Sequence, residues 1–226
     1  MGALHAGHMQ LVKRARAEND VCVATVFVNP TQFNQPSDYE KYKISLKDDA
    51  ALLESSGVDY LFAPDNPDAM YPDKYEVRVN ETAITKELEG AFRPGHFEGV
   101  LTVVLKLLNL VQPTRAYFGE KDFQQLLLVR KMVEGLFLPV EIVPCAIVRE
   151  ESGLALSSRN ARLSPEQKKQ ATLIYQLLTS DFSDAEVKAK LDAAGFKTDY
   201  VATKWGRRLA AAWLGDVRLI DNVEAK

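Results

Sequence analysis

The sequence has few of the features that mark secreted, membrane-bound or metal-clustered proteins. It has only two cysteines, Cys22 and Cys145, among 226 residues, and both stand in apolar runs. Two isolated cysteines exclude a disulfide-built scaffold and are typical of a reducing cytosol. The longest apolar runs, residues 21–28 and 100–111, are shorter than the roughly 20 residues of a membrane span, and no charged-then-apolar leader opens the chain. We therefore expect a cytoplasmic protein that does not bind a membrane.

An excess of positive charge is also absent. The 28 Lys and Arg residues against 31 Asp and Glu residues give a formal net charge of −3. This balance provides no general attraction for nucleic acid, so we expect none as a partner. Internal repeats and low-complexity tracts are absent as well. With 46% hydrophobic and 26% charged residues, the composition is that of a globular protein with a sizeable core.

Strand-like and helix-like apolar patterns alternate over the first two thirds of the chain. The predicted strands are Val21–Asn29, Val58–Ala63, Arg115–Phe118 and Val140–Pro144, and the predicted helices are Leu4–Arg16, Tyr39–Ser56, Gly99–Val111 and Lys121–Leu136. Alternating strands and helices are typical of parallel sheets. This order predicts an α/β fold with a doubly wound, Rossmann-like parallel sheet.

The pattern changes after about Val148. Ser164, followed by Pro165 and by Gln167 three residues on, marks a helix start, and a second Ser-led start stands at Ser183. Strands are predicted near residues 198–203 and 217–223. We therefore expect two domains, a nucleotide-binding domain over residues 1–148 and a small, lid-like α+β domain over residues 149–226.

The first eight residues, MGALHAGH, hold two of the chain's three histidines, three positions apart around a glycine. If a helix starts near Gly7, both imidazoles lie at its N-terminus, where unpaired N–H groups and the helix dipole attract phosphate. The alternative is an amphipathic helix with two solvent-facing histidines. This string alone does not decide between them.

Three further polar blocks follow predicted strands or the domain boundary. Residues 29–33 (NPTQF) and 118–125 (FGEKDFQQ) come directly after strands, at the edge where open α/β sheets bind ligands. Residues 156–159 (LSSR) combine two hydroxyls with a guanidinium, which suits phosphate oxygens. Each block alone is better interpreted as an ordinary polar loop.

Together and in this order, the four blocks resemble the pantothenate synthetase family of the HxGH nucleotidylyltransferase superfamily. The resemblance implies a ligase that condenses pantoate with β-alanine through a pantoyl-adenylate, releasing pyrophosphate and AMP. It implies ATP as a substrate, Mg²⁺ held mainly by the ATP phosphates, and a homodimer. Two alternatives stay open: another HxGH nucleotidylyltransferase that leaves the nucleotide on its product, or a catalytically silent nucleotide-binding fragment.

The resemblance also implies roles for individual residues. It makes His5, His8, Lys121 and Arg159 catalytic, as groups that stabilise charge on the phosphates. It assigns pantoate and β-alanine to Asn29, Gln32 and Gln125, and it names no metal ligand. The implied ATP-binding residues are Met1, Gly2, Ala3, Leu4, His5, Ala6, Gly7, His8, Gly119, Glu120, Lys121, Asp122, Val148, Leu156, Ser157, Ser158 and Arg159.

Some polar residues are interpreted as structural. Arg93 and His96 surround a Pro-Gly turn and are expected to be structural or to form a wall of the site. Asp48 and Asp49 invite a Mg²⁺ interpretation, but neighbours on a helix face different ways, so a solvated helix face is expected instead.

The sequence departs from the family at two places. Relatives are expected to carry a helix, a central strand and a Pro-Thr pair before the MGALH string, so the first central strand is expected to be missing here. The segment Lys43-Ile44 stands where relatives are expected to have Pro-Arg, beside the predicted loop of residues 35–42.

Overall fold

The computed structural model describes residues 2–34, 39–40 and 45–226. Met1 and the Lys43-Ile44 pair, both singled out by the sequence, lie outside the described residues. The chain divides into two compact units. The first is Met1–Gly119 with Gln124–Cys145, and the second is Ala146–Lys226 together with the short segment Glu120–Phe123.

Helices alternate with short parallel strands through the first unit. Its elements are α1 (Ala6–Glu18), β1 (Val23–Thr25), α2 (Leu46–Ser55), β2 (Tyr60–Phe62), α3 (Pro67–Met70), α4 (Leu88–Phe92), α5 (His96–Val111), β3 (Arg115–Gly119), α6 (Phe123–Gly135) and β4 (Glu141–Cys145). β1 pairs with β2 and β3 with β4, both in parallel. The α/β class with parallel strands is thus confirmed. Within the described residues the four strands form two separate pairs, whereas the sequence predicts a single doubly wound sheet.

The first strand is shorter than its apolar run. The run Val21–Asn29 predicts one long strand, but the ladder extends only over Val23–Thr25. Beyond it, Val26 N donates to Phe62 O at 2.9 Å and Tyr60 N donates to Cys22 O at 3.2 Å. The chain then enters a 3₁₀ turn, Pro30–Gln32, capped by Asn29. The ladder ends at Thr25, which pairs with Phe62, the last residue of β2. Pro30 has no N–H to donate, so the ladder does not resume at this position. The NPTQF block therefore stands beyond the carboxyl end of β1.

An apolar cluster fixes α1 and α2 to β1. Val12, Ala24, Val26 and Leu53 are buried together, and Leu4 and Met9 pack against them. Leu4 immediately precedes the first histidine of the HxGH string, so the same cluster that holds the helix also holds the start of that string. The position of the histidine pair thus follows from packing in the core of this unit.

The helix α5 begins at His96, three residues before the predicted start. Its N-cap, Gly95, has φ +80°, a left-handed conformation that glycine adopts without a steric penalty. Phe97, Val100 and Leu101 are buried on its inner face. No helix in the described ranges is both long and apolar enough to cross a membrane.

The second unit combines two helices with an antiparallel sheet. Its elements are α7 (Pro165–Leu178), α8 (Asp184–Ala193), β5 (Lys197–Lys204), β6 (Arg207–Leu214) and β7 (Val217–Glu224), and the sheet order is β5-β6-β7. Capping boxes at Ser164 and Ser183 begin both helices where the sequence predicts. The central strand β6 has no counterpart among the predicted strands.

Candidate active site

The two histidines of the HxGH string cap helix α1. His5 is the N-cap, and its Nδ1 accepts from Gly7 N at 3.1 Å, while His8 Nδ1 accepts from His5 N at 3.3 Å. Their ring centroids lie 4.1 Å apart, and both residues are half-buried. Because each Nδ1 accepts from a backbone N–H, each neutral ring carries its proton on Nε2. Two imidazole rings, each with its proton on Nε2, therefore stand at the helix N-terminus, where phosphate is favoured.

Asp49 of α2 holds the backbone just before these histidines. Its side chain is buried, and its two carboxylate oxygens accept from Ala3 N at 2.9 Å and Leu4 N at 2.8 Å. Ala3 has φ +52°, a left-handed conformation that costs a non-glycine residue roughly 1–2 kcal/mol. The carboxylate stabilises this conformation through two charge-assisted hydrogen bonds.

The prediction that Asp48 and Asp49 both lie on a solvent-exposed helix face is therefore wrong for Asp49. Asp48 is exposed as predicted, but Asp49 is 5% exposed and bonded to the HxGH loop. Successive helix residues point in directions about 100° apart. One of two adjacent acidic residues can therefore face the interior while the other faces solvent.

Asn29 orients the side chain of Gln32. Asn29 is 2% exposed, and its Oδ1 accepts from Tyr71 Oη at 2.7 Å and from Thr31 Oγ1 at 2.9 Å. Its Nδ2 donates to Gln32 Oε1 at 3.4 Å and to Gly99 O at 3.1 Å. These bonds use the hydrogen-bonding capacity of the Asn29 amide within the protein. They leave Gln32 Nε2, which makes no hydrogen bond within the described residues, for a ligand.

Tyr71, which no sequence motif marks, supports this arrangement. Burial raises the pKa of Tyr71 above its ordinary value, so its hydroxyl remains a proton donor to Asn29 at neutral pH. The Lys106 ammonium lies 4.6 Å from the Tyr71 ring centroid and bonds Asp73 Oδ1 at 2.7 Å. The hydrogen bond from Lys106 lowers the pKa of Asp73 to about 2. The Asp73 carboxyl therefore stays ionised over the physiological pH range, and its ion pair with Lys106 holds the ammonium against the tyrosine ring.

Arg93 and His96 hold the backbone of Gln32. His96 Nδ1 lies 2.8 Å from Gln32 O, and Arg93 Nη1 lies 3.0 Å from His96 Nε2. Because a guanidinium only donates, His96 Nε2 accepts and His96 Nδ1–H donates to the Gln32 carbonyl. These contacts agree with the interpretation of both residues as structural. Gln32 is thus fixed through its carbonyl as well as its side chain.

The end of β3 and the start of α6 carry the other residues predicted for this unit. A Cβ on Gly119 would meet no atom within 4 Å, so the strand end is open there. Of the adjacent glutamines, Gln124 is buried and donates to Ile84 O at 2.9 Å and Glu87 O at 2.8 Å. Gln125 is half-buried, and its side chain makes no hydrogen bond within the part of the chain that the structure describes. Of these two adjacent glutamines, only Gln124 therefore has its side chain engaged by the described residues.

The second unit brings together residues from the remaining predicted blocks. Leu156 N donates to Val148 O at 2.9 Å across a short hairpin, in which Arg149 pairs with Ala155. Ser157 Oγ then accepts from Arg159 N at 3.2 Å and begins the 3₁₀ turn Ser158–Arg162. Val148 and the LSSR block are thus neighbours in space.

The predicted residues Glu120–Asp122 form a 3₁₀ turn. Lys121 is half-buried, and Asp122 is exposed. The ammonium of Lys121 makes no ion pair or hydrogen bond within the described ranges. The turn thus presents a cation that no described protein group neutralises.

Comparisons with known proteins agree on one family. The family model for pantoate-beta-alanine ligase matches residues 1–224. The chain is 55% identical over 224 residues to a pantothenate synthetase of Bdellovibrio bacteriovorus, covering 99% of this chain and 89% of that protein. It is 49% identical over 223 residues to that of Coxiella burnetii, covering 99% and 86%.

Solved structures give the same result. The crystal structure of pantothenate synthetase from Thermus thermophilus matches with a TM-score of 0.91 at 48% identity, covering 99% of this chain and 90% of that one. The pantoate-beta-alanine ligase of Francisella tularensis, complexed with beta-gamma ATP and beta-alanine, matches with a TM-score of 0.94 at 44% identity, covering 99% and 87%.

These matches define an ATP-dependent ligase. The chain belongs to the pantoate–β-alanine ligase family, whose members condense pantoate with β-alanine using ATP. The ligase interpretation is thereby favoured over a nucleotidylyltransferase that retains the nucleotide on its product and over a silent fragment. The four sequence blocks point to the same family.

Proposed function

We propose that this chain forms pantothenate in two steps through a pantoyl-adenylate. In the first step, a carboxylate oxygen of pantoate bonds to the α-phosphorus of ATP, and the bond to pyrophosphate breaks. In the second step, the amino nitrogen of β-alanine attacks the acyl carbon and loses a proton, and AMP leaves with one original carboxylate oxygen. The observation that best supports this chemistry is the pair of His5 and His8 Nε2–H donors at the N-terminus of α1.

The proposed catalytic groups stabilise negative charge on the phosphates. His5 and His8 donate from Nε2, while Lys121 and Arg159 supply positive charge. Asp49 fixes the backbone of Ala3 and Leu4, so the histidines are positioned before the substrate binds. The other proposed ATP contacts are Gly2, Ala3, Leu4, Ala6, Gly7, Gly119, Glu120, Asp122, Val148, Leu156, Ser157 and Ser158. Met1, also predicted, lies outside the described residues.

Gln32 and Gln125 are the proposed pantoate contacts. Gln32 is fixed by His96 through its carbonyl and by Asn29 through its amide, so its Nε2 points in one direction. A fixed amide holds a carboxylate or hydroxyl in the orientation needed for attack and lowers the entropic part of the barrier. We assign Asn29 primarily to orienting Gln32, and its direct contact with substrate stays a prediction.

The expected Mg²⁺ is assigned to the ATP phosphates. Within the described ranges, no group of three or more His, Cys, Asp or Glu side chains could hold a metal ion, and Asp49 is committed to two backbone N–H groups. Among the described side chains we therefore assign no ligand to the ion, and we route no step through it. A homodimer and a cytoplasmic location complete the proposal. Cys22 and Cys145 are buried and form no disulfide, which supports a reducing compartment.

The two-step proposal is tested by omitting β-alanine. Enzyme mixed with ATP and pantoate is expected to release one equivalent of pyrophosphate per active site in a fast phase, because the first step needs no amine. β-Alanine added afterwards is expected to convert the bound intermediate to pantothenate and AMP. A mixture lacking pantoate is the control. Pyrophosphate that forms only when β-alanine is present from the start contradicts the proposal.

A further inference from the structure

The segment Glu120–Phe123 is built into the second unit by side chains of the antiparallel sheet. The segment contains the 3₁₀ turn that carries Lys121. Asn222 of β7 contacts its backbone, and Arg207 of β6 contacts its side chains. Both contacts bridge a long distance in sequence, and neither was expected from a motif.

Asn222 bonds to two successive carbonyl groups of the turn. It is 1% exposed, and its Nδ2 donates to Glu120 O at 2.9 Å and to Lys121 O at 3.1 Å. Its Oδ1 is buried and has no hydrogen-bond partner in the described part of the chain. Among the described residues, the two bonds to the turn are thus the only hydrogen bonds that this side chain makes. They fix the peptide groups on both sides of the Lys121 Cα.

Arg207 contacts the residues on either side of this turn's centre, Glu120 and Phe123. Its Nη2 donates to Glu120 Oε2 at 2.9 Å, and its guanidinium lies 5.0 Å from the centroid of the Phe123 ring. Lys121 lies between these two contacts. Its backbone is fixed while its ammonium is not engaged by the described residues. This is the arrangement expected of a side chain that must meet a ligand in one place.

Asp221, the residue before Asn222, bonds to the hairpin that leads into the LSSR block, the other predicted nucleotide-binding block of this unit. Asp221 accepts two hydrogen bonds from Arg149, of 2.6 and 2.8 Å, and the Arg149 guanidinium lies 4.0 Å from the Tyr175 ring centroid. Arg149 also pairs with Ala155, directly before the LSSR block. Two consecutive residues of β7 therefore hold the Lys121 turn and the hairpin of the LSSR block.

We propose that Asn222 is a positioning residue for adenylate formation, acting by fixing the carbonyls of Glu120 and Lys121 so that the Lys121 ammonium meets the triphosphate. The inference rests on the proposed function, because it assumes that Lys121 stabilises charge on the phosphates. Misplacing a catalytic group by about 1 Å costs about 10²-fold in rate. Losing the two hydrogen bonds from Asn222 Nδ2 is therefore expected to slow adenylate formation by displacing Lys121.

A double-mutant cycle tests this coupling. Asn222→Leu removes both donors without adding a charge. We expect it to lower the single-turnover rate of pyrophosphate release, at saturating ATP and pantoate, by about tenfold or more. In a Lys121→Ala background, the same substitution is expected to cost less than about threefold, because the group that it positions is gone.

A core variant separates positioning from simple destabilisation. Val187→Ala removes buried apolar contacts in α8, where the side chain is 0% exposed, and is expected to lower the melting temperature without slowing the folded enzyme. If Asn222→Leu does not fold, Asn222→Ala, which also removes both donors and adds no bulk, replaces it in the same cycle. An equal loss in the wild-type and Lys121→Ala backgrounds overturns the positioning role, as does a folded Asn222→Leu variant at the native rate. A native rate for Lys121→Ala alone overturns the role of Lys121 and the inference with it.

Discussion

Replacing His8 with alanine is expected to slow pyrophosphate formation by about 10²–10³, or roughly 3–4 kcal/mol of transition-state stabilisation. We propose that the Nε2–H of His8 donates to a phosphate oxygen, on which negative charge grows as pyrophosphate departs. The hydrogen bond therefore strengthens towards the transition state, which raises kcat more than it lowers KM. Single-turnover kinetics beside an ATP titration measures the two effects separately.

The capping role of His8 requires a matched control. His8→Asn keeps an acceptor near the position of Nδ1, so the hydrogen bond from His5 N is retained, but it removes the distal donor. We expect a near-native melting temperature and a rate loss close to that of His8→Ala. A His8→Asn rate within about threefold of wild type (under roughly 1 kcal/mol) would show that the cap, and not the Nε2–H donor, is what matters.

Replacing Gly99 with alanine is expected to displace Gln32 and to impair pantoate binding and turnover together. A Cβ at Gly99 would lie 2.6 Å from Thr31 O and 2.8 Å from Gln32 N, both backbone atoms. The α5 backbone and the Pro30–Gln32 turn must separate to relieve this overlap, at a cost of typically about 1–3 kcal/mol in stability. A shift of about 1 Å in a positioning group costs about 10²-fold in rate.

Gly135 at the end of α6 provides the matched control. It is also helical, but a Cβ there would meet no atom within 4 Å. Gly135→Ala is therefore expected to leave both the melting temperature and kcat/KM for pantoate nearly unchanged. A Gly99→Ala enzyme with native kcat/KM for pantoate contradicts the assignment of Gln32 as a fixed substrate contact.

The features that the sequence predicts well are local. The HxGH histidines and the Ser164 and Ser183 helix starts depend on residues within three or four positions of one another, and the structure places all of them at helix N-termini. The alternation of strand and helix likewise follows from local periodicity. The shortened first strand depends on its partner instead, because β2 ends at Phe62, opposite Thr25, and the rest of the apolar run pairs with no described strand.

The features that the sequence does not predict depend on distant contacts. Asp49 reaches Ala3 across 46 positions, Tyr71 reaches Asn29 across 42, and Asn222 reaches Glu120 across 102. Because the partner of each residue is distant in sequence, no local motif or spacing predicts the contact. The missed strand β6 is rich in alanine, including the buried Ala210–Ala212, and alanine has little strand preference of its own. Pairing with β5 and β7 determines its conformation.

The formation of a pantoyl-adenylate is tested most directly by following the oxygen atoms of pantoate. Pantoate carrying ¹⁸O in both carboxylate positions is incubated with ATP, β-alanine and enzyme. The ¹⁸O content of each product is then measured by mass spectrometry. If the carboxylate attacks the α-phosphorus, AMP acquires one ¹⁸O and pantothenate keeps the other in its new amide carbonyl. Unlabelled AMP, or label in inorganic phosphate accompanied by ADP, would contradict the adenylate pathway.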